Sequence, residues 1–417
     1  MDQFVIQGGN RLEGTINING AKNAVLPILV SSLLTQEMVV LNNVPYLKDV
    51  LIMNKLLQKC GAEIKLKDNV IRIKSNFLRK TELPETMVSK ISSSILLVGA
   101  LLSRFSKVTI SLPGGCNIGT RELDFHIKGL VALGANVYIK NGFIIAEANK
   151  RLKGSNITFK FPSVGATHQI IIAACLADGE TIINNAAKEP EVVDLASFLN
   201  SMGAYIKGAG TNIIRISGVE KLGGTTYSIM PDRITTGTYM VAAAVTEGDV
   251  QLSNTKIDLL QSVVEKLREI GVKVIENDEG IRVISSGEFR PVEIITEVYP
   301  GFPTDMQPII TSLLAIADGE SIIQENIFNN RFAHMYELKK MGANIKIDKG
   351  IAIVNGVDRL NGSQVTAIDL RTGAALILAG LNARGKTIID NSYQIERGYE
   401  NIAKVLSSVG ADIKRRF

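Results

Sequence analysis

With 417 residues, 46% of them hydrophobic and 21% charged, the chain is too long for one ordinary core and too apolar for extensive disorder, so two or three globular domains are expected. Lys and Arg number 46 against 41 Asp and Glu, a net charge of +5 that suits anionic small molecules. There is no Trp, aromatics make up 5%, and no basic stripe is interleaved with aromatics, so no nucleic-acid partner is expected.

In chain order, the opening Met1-Asp2-Gln3-Phe4-Val5-Ile6 reads as a strand and lacks the charged and apolar regions of a signal peptide. No uncharged apolar run reaches the ~18 residues of a membrane span, so no membrane insertion is expected. One unit then recurs along the chain. A Gly, a small residue and a β-like stretch come together at Gly61, Gly134, Gly203, Gly271, Gly342 and Gly410, spaced by 73, 69, 68, 71 and 68 residues. Each Gly follows an amphipathic run, such as Val192 to Met202, and reads as a helix C-cap that opens a strand. Asp178-Gly179, Glu247-Gly248, Asp318-Gly319 and Arg384-Gly385 keep the same beat after more apolar helices, and turns such as Asp348-Lys349-Gly350 join paired strands. The rhythm predicts a repetitive α/β architecture with the apolar helices inside and the sheets around them. The basic ending Lys414-Arg415-Arg416 reads as a solvated tail.

The apolar helices begin at Lys22-Asn23, Ser92-Ser93-Ser94, Ser163 to Thr167, Asp232-Arg233, Thr304-Asp305 and Arg371-Thr372-Gly373. N-capping by Ser, Thr and Asp is the plain explanation, and a set of helix starts that gathers anions is the alternative. Capping does not call for Lys22, Arg233 or Arg371, because a cation is unfavourable at a helix start.

Three cysteines at 60, 116 and 175, without a CxxC, argue against a disulfide framework and for a reducing, cytoplasmic compartment. Three scattered histidines (His126, His168, His334) give no metal-ligand spacing, and neither a metal nor a cofactor is expected. Cys60 at a helix end and Cys175 in an apolar run read as structural. Cys116 stands apart in Pro113-Gly114-Gly115-Cys116-Asn117-Ile118-Gly119, an irregular loop with Arg121 five residues on, where a neighbouring cation would lower a thiol pKa of ~8.5 toward neutrality. Residue chemistry alone leaves a reactive thiol and an incidental loop residue equally open. Asp305 reads as a helix-capping acid or as a general base toward a sugar hydroxyl. Arg397 is either a surface ion-pair partner of Glu396 or Glu400 or an anion ligand, and Arg331 either a local loop donor or the same. Glu189, Glu191 and Asp194 favour a helix N-terminus. No phosphate-binding loop, dinucleotide fingerprint or serine-hydrolase elbow is present.

Read together, Gly20 to Ala24, Leu112 to Gly119, Ser163 to Thr167, Pro231-Asp232-Arg233, Phe302 to Met306, Asn330-Arg331-Phe332, Asp369-Leu370-Arg371 and Glu396 to Tyr399 resemble, end to end, the UDP-N-acetylglucosamine 1-carboxyvinyltransferases of the enolpyruvyl transferase superfamily. The resemblance implies a two-lobed inside-out α/β barrel of six βαβαββ-type units, with residues 1–20 plus 231–417 in a discontinuous lobe and 21–230 in a continuous one. It also implies an addition–elimination that moves the enolpyruvyl group of phosphoenolpyruvate to the 3-hydroxyl of UDP-N-acetylglucosamine and releases phosphate, the first committed step of peptidoglycan synthesis. In that reaction Cys116 would donate a proton, and could form a covalent adduct, while Asp305 accepts the hydroxyl proton. Lys22, Arg121 and Arg397 would hold phosphate and carboxylate, and Asn23, Arg331 and Arg371 would orient the sugar and enolpyruvyl groups. Leu123, Asp124, Phe125, Ser163, Val164, Gly165, Ile327 and Phe328 would line the nucleotide-sugar site.

Two positions in the substrate-binding set depart from the family pattern: Ser92 where an Arg is expected, and Glu122 where Pro usually follows Arg121. They predict altered substrate affinity more than an altered reaction. Two alternatives compete with this reading: transfer to shikimate 3-phosphate, which the Cys116 loop opposes, and a non-catalytic or specialised nucleotide-sugar-binding paralogue. Nothing in the sequence signals an oligomeric state.

Overall fold

A computed structural model describes residues 2–78, 81–114, 123–329 and 331–416. The chain forms two compact units: one takes the described residues within 2–19 and 231–416, the other those within 20–114 and 123–230.

In the second of these, the plainest copy of the repeat runs strand Asn156–Thr158, helix Val164–Ala174, strand Glu180–Asn184, helix Pro190–Ser201, then strands Tyr205–Lys207 and Ile213–Ser217. The first two strands pair in parallel and the others antiparallel. Parallel neighbours need a crossover, and the buried helix Val164–Ala174 supplies it. The other unit repeats this order in Glu293–Ile295, Gln307–Leu314, Glu320–Gln324, Ala333–Lys340, Asn344–Asp348 and Ile351–Asn355. Its closing hairpin turns on Lys349 (φ 43°) and Gly350 (φ 84°), the paired left-handed residues that suit a two-residue turn between twisted strands.

Three sheets are completed by strands from distant parts of the chain. Glu13–Asn17 lies parallel to Asp249–Ser253, across the helix Arg233–Val245. Thr225–Ser228 takes the equivalent place beside Val39–Asn42, while Gln3–Gln7 sits between Lys386–Asp390 and Asp412–Arg416, antiparallel to both. Arg415 donates to both Asp2 oxygens at 2.7 Å and also pairs with Glu396. The basic ending is therefore a paired strand, not the solvated tail expected, because the N-terminal strand gives its backbone and its charges partners.

All six repeat glycines adopt the left-handed conformation, with φ between 91° at Gly134 and 117° at Gly271. In the second series Gly179, Gly319 and Gly385 do the same, but at Glu247-Gly248 the left-handed residue is Glu247 (φ 54°). Gly248 answers a different need, since a Cβ there would stand 2.6 Å from the Leu12 carbonyl oxygen. Ser106 (φ 56°) ends the helix Leu96–Phe105 in the same way, without a Gly to announce it.

The helices that are apolar all round form the cores. Lys22–Ser31, Leu96–Phe105 and Val164–Ala174 are buried along nearly their whole lengths in one unit, as are Arg233–Val245, Gln307–Leu314 and Leu370–Asn382 in the other. Each fully buried Leu or Ile contributes roughly 1.5–3 kcal/mol. Paired helices are also tied by hydroxyls: Ser103 donates to the Ala173 carbonyl at 3.1 Å, and Ser312 to that of Ala375 at 2.8 Å. Cys60 and Cys175 are packed in the core, where burial pushes each thiol up to about 12.

Candidate functional site

In the discontinuous unit the chemistry gathers around Asp305. Pro303 leads into a single 3-10 turn, Thr304–Met306, which runs on into the helix Gln307–Leu314. Asp305 sits inside that turn, one residue past its start. Its Oδ1 accepts from Arg331 Nη2 at 2.7 Å, and its Oδ2 accepts from Arg371 Nη2 at 2.8 Å and Nε at 3.1 Å. The guanidinium side chains are 3% and 5% exposed and the carboxylate 28%, so the cations are anchored in protein and the acid faces outward. Arg331 is therefore a buried ion-pair partner, not a loop donor.

Both arginines are held from behind. Asp369 caps the helix Leu370–Asn382, accepting from the backbone N–H of Arg371 at 2.8 Å and of Thr372 at 3.1 Å, which fixes where the Arg371 side chain starts. Arg371 Nη1 donates to the Tyr399 hydroxyl at 3.0 Å, and that hydroxyl meets Thr238 Oγ1 at 2.8 Å. Burial alone would lower the Arg371 guanidinium, but Asp305, Tyr399 and Asp232 more than reverse this and it is raised overall. Burial also pushes the Tyr399 phenol up, with Arg371 opposing. On the other side His334 Nδ1 meets the Arg331 carbonyl at 3.1 Å, and burial lowers this imidazole to about 3, so it is neutral. The Arg331 guanidinium lies 5.9 Å from the ring centroid of Phe328, which with Ile327 is half-buried.

Arg397 is buried, and its Nη1 donates to Gln394 Oε1 at 3.1 Å. It is not the surface residue that a simple ion pair would make it. Arg233 lies 5.5 Å over the Tyr299 ring, while Asp232 beneath it caps the helix through Ile234 and Thr235, both at 2.9 Å. Each cation that capping could not explain thus has its own partner.

In the continuous unit Lys22 opens its helix without a side-chain cap, and its Nζ lies 3.0 Å from Asp49 Oδ2, the lysine 12% and the aspartate 4% exposed. The neighbouring Asn23 is exposed. Ser163 caps the helix Val164–Ala174 through Ala166 at 3.3 Å. The start of that helix faces the helix Asp124–Ala132, for a Cβ on Gly165 would meet His126 Nε2 at 3.1 Å. Leu123 and Phe125 are half-buried, with the Phe125 ring edge-on to Phe159 at 6.0 Å, while exposed Asp124 pairs with Lys128 at 2.9 Å. Ser92 begins a short 3-10 helix, Ser92–Ile95, with no cap bond; Ser94 instead turns back to the Val88 and Ile91 carbonyls at 2.9 and 2.6 Å. Asp194 does more than favour a helix start, accepting from the Tyr227 hydroxyl at 2.7 Å and the Met230 N–H at 3.4 Å. Burial raises its carboxyl to about 6. Cys116, Arg121 and Glu122 lie outside the described residues.

Sequence reasoning passed over Asp49, Tyr399 as a ligand of Arg371, and Glu325, whose carboxylate accepts from Thr304 and from two backbone N–H groups. An acid in the first turn of Lys48–Cys60 carries no signal beyond ordinary helix charge preference, and Tyr399 entered only as part of the motif around Arg397. No cluster of three or more His, Cys, Asp or Glu suited to a metal occurs among the described residues, and no helix there is long and apolar enough to cross a membrane.

The sequence pattern of the EPSP synthase (3-phosphoshikimate 1-carboxyvinyltransferase) family matches residues 6–406. A UDP-N-acetylglucosamine 1-carboxyvinyltransferase of Carboxydothermus hydrogenoformans is 48% identical over 100% of this chain and 98% of its own length. One from Geobacter metallireducens is 46% identical over 100% and 99%. Among solved structures, the enolpyruvyl transferase NikO from Streptomyces tendae superposes with a TM-score of 0.90 at 24% identity, covering 99% of this chain and 98% of that one. An EPSP synthase from Acinetobacter baumannii superposes with a TM-score of 0.78 at 20% identity, covering 100% of both chains. The mixed α/β fold is shared with both.

Proposed function

The chain belongs to the UDP-N-acetylglucosamine 1-carboxyvinyltransferases, and on that premise we propose that it transfers the enolpyruvyl group of phosphoenolpyruvate to the 3-hydroxyl of UDP-N-acetylglucosamine, releasing phosphate and opening peptidoglycan synthesis. The observation that carries the reading is Asp305, a partly exposed carboxylate fixed by two buried guanidiniums at the start of a core helix. That arrangement holds an acceptor rigidly while keeping it within reach of a substrate hydroxyl.

In the addition step Cys116 protonates the methylene carbon of phosphoenolpyruvate, the sugar oxygen bonds to the adjacent carbon, and Asp305 takes the hydroxyl proton. Elimination then returns a proton from the new methyl group to the thiolate of Cys116 and breaks the carbon–oxygen bond to phosphate, which leaves. Lys22, Arg121 and Arg397 hold the phosphate and carboxylate of phosphoenolpyruvate, with Asp49 setting the Lys22 ammonium. Arg331, Arg371 and Asn23 orient the reacting groups. Leu123, Asp124, Phe125, Ser163, Val164, Gly165, Ile327 and Phe328 line the nucleotide-sugar site, with Ser92 and Glu122 altering its charge. The six helix–sheet repeats form two lobes, residues 1–20 plus 231–417 and 21–230, each an inside-out α/β barrel. The reaction is placed in the cytoplasm.

The test is phosphate release from phosphoenolpyruvate with UDP-N-acetylglucosamine and, separately, with shikimate 3-phosphate as acceptor. Turnover with the nucleotide sugar alone supports the proposal. Turnover with shikimate 3-phosphate instead reassigns the acceptor, and nucleotide-sugar binding without turnover makes the protein a non-catalytic binder.

A further inference from the structure

Glu325 stands at the end of the strand Glu320–Gln324, half-buried and without a place in the reaction described above. Its two carboxylate oxygens lie 3.1 and 3.0 Å from Thr304 Oγ1, whose hydroxyl donates to them. Oε1 also accepts from the backbone N–H of Ile327 at 2.9 Å and of Phe328 at 3.1 Å. A surface acid that merely kept the chain in solution would not collect three donors from two separate segments. Each of the three is charge-assisted and so stronger than a neutral hydrogen bond.

These contacts close a circuit. Glu325 holds Thr304, Thr304 precedes Asp305, Asp305 pairs with Arg331 at 2.7 Å, the Arg331 guanidinium lies over Phe328, and the Phe328 N–H returns to Glu325. The next residue is pinned as well, because the Asn326 N–H donates to Thr296 Oγ1 at 2.9 Å. Asp305 and the Ile327–Phe328 segment belong to different elements, so their relative position depends on a link between them. Within this circuit Glu325 hydrogen-bonds to both sides, through the Thr304 hydroxyl and through the Ile327 and Phe328 N–H groups, and Arg331 contacts both as well.

We propose that Glu325 is a positioning residue of the transferase reaction, setting the Asp305 carboxylate and the Ile327–Phe328 wall of the nucleotide-sugar site against each other. The inference rests on the function proposed above, in which Asp305 receives the sugar proton and Ile327 and Phe328 contact the sugar nucleotide. Thr304 is the coupling element on the Asp305 side. Removing either partner displaces the acceptor relative to the bound sugar, and a small displacement of a reacting group costs rate steeply. Phosphoenolpyruvate, held by other residues, is affected less.

The experiment measures phosphate release with phosphoenolpyruvate and UDP-N-acetylglucosamine for the parent, Glu325→Gln, Glu325→Ala, Thr304→Val, Thr304→Ser and the Glu325→Ala/Thr304→Val double variant, with thermal unfolding of each. Glu325→Ala and Thr304→Val are expected to lower kcat and raise the KM for the nucleotide sugar so that kcat/KM falls at least about tenfold, while the KM for phosphoenolpyruvate stays within about twofold. Thr304→Ser, which keeps the hydroxyl, restores the parent values. Glu325→Gln, which keeps an oxygen acceptor for the two backbone N–H groups, falls between parent and Glu325→Ala. The double variant loses little more than the worse single one, because both substitutions break the same link. Folded variants with parent-like kcat and nucleotide-sugar KM overturn the proposal. So does an equal loss for both substrates that tracks the melting temperature and is not rescued by Thr304→Ser, which makes Glu325 a structural residue only. A parent without turnover overturns the proposed function itself, whereas an active parent with unaffected variants overturns only the role of Glu325.

Discussion

Replacing Asp305 by Ala removes one small carboxylate and leaves two guanidiniums, 3% and 5% exposed, without it. Breaking a buried ion pair from one side costs about 3–5 kcal/mol, because the remaining charge stays desolvated. In a unit of about 200 residues, 1 kcal/mol corresponds to roughly 2–4 °C, so the melting temperature of the discontinuous unit should fall by on the order of 10 °C. Turnover should fall further than this loss explains, by about 10²–10⁴-fold at a temperature where the variant is folded, since the proposed proton acceptor is gone. Nucleotide-sugar binding should change much less. Inorganic phosphate should raise the melting temperature of Asp305→Ala more than that of the parent, because an anion can replace the missing charge between Arg331 and Arg371. Calorimetry with and without phosphate, together with phosphate-release kinetics on the same samples, reads all of these effects. A variant that melts with the parent shows that the guanidiniums are not held by Asp305, and equal losses of turnover and sugar binding reduce Asp305 to a binding residue.

Acid should weaken the fold through its histidines. Burial lowers His126 and His168 to about 4 and His334 to about 3, so each is neutral when folded, while the unfolded chain takes up protons near pH 6.5. The stability they supply is present above pH 6.5 and lost as the pH falls toward the folded values, about 2 kcal/mol each between pH 7 and 5. Asp194, raised to about 6, works the other way and returns about 1 kcal/mol over the same interval. Urea midpoints should therefore be clearly lower at pH 5 than at pH 7, and equal midpoints would refute the burial argument. Cys116→Ala should reduce turnover by at least about 10²-fold and abolish labelling by an epoxide inhibitor, with normal activity sinking the proton-donor role. Asp49→Asn should raise the KM for phosphoenolpyruvate by releasing Lys22 from its 3.0 Å contact, and an unchanged KM would show that Lys22 is positioned by other groups.

Local chemistry written in neighbouring residues was legible from the sequence. The six repeat glycines mark helix ends, because only a residue without a Cβ enters the left-handed region at little cost. The helices that are apolar all round could only be buried, and so they are. Lys22, Arg233 and Arg371 stood out at helix starts because a cation there works against the dipole. Their partners were not legible. Asp49 and Tyr299 lie far from them along the chain and look like ordinary residues in their own segments, and Asp305, a candidate acid by itself, carries no local sign that Arg371 is its partner. The ending at Lys414 to Arg416 was misread for the same reason, since the strand that pairs with it begins at Gln3. Glu325, too, has nothing in its neighbours to predict a bond to Thr304 twenty-one residues away. The repeat and its caps follow from backbone preferences that each segment carries by itself. The charge clamp around Asp305, the sheets completed by distant strands and the carboxylate of Glu325 that bonds to Thr304 arise only when segments remote in sequence are packed together and must satisfy each other's buried charges and backbone groups.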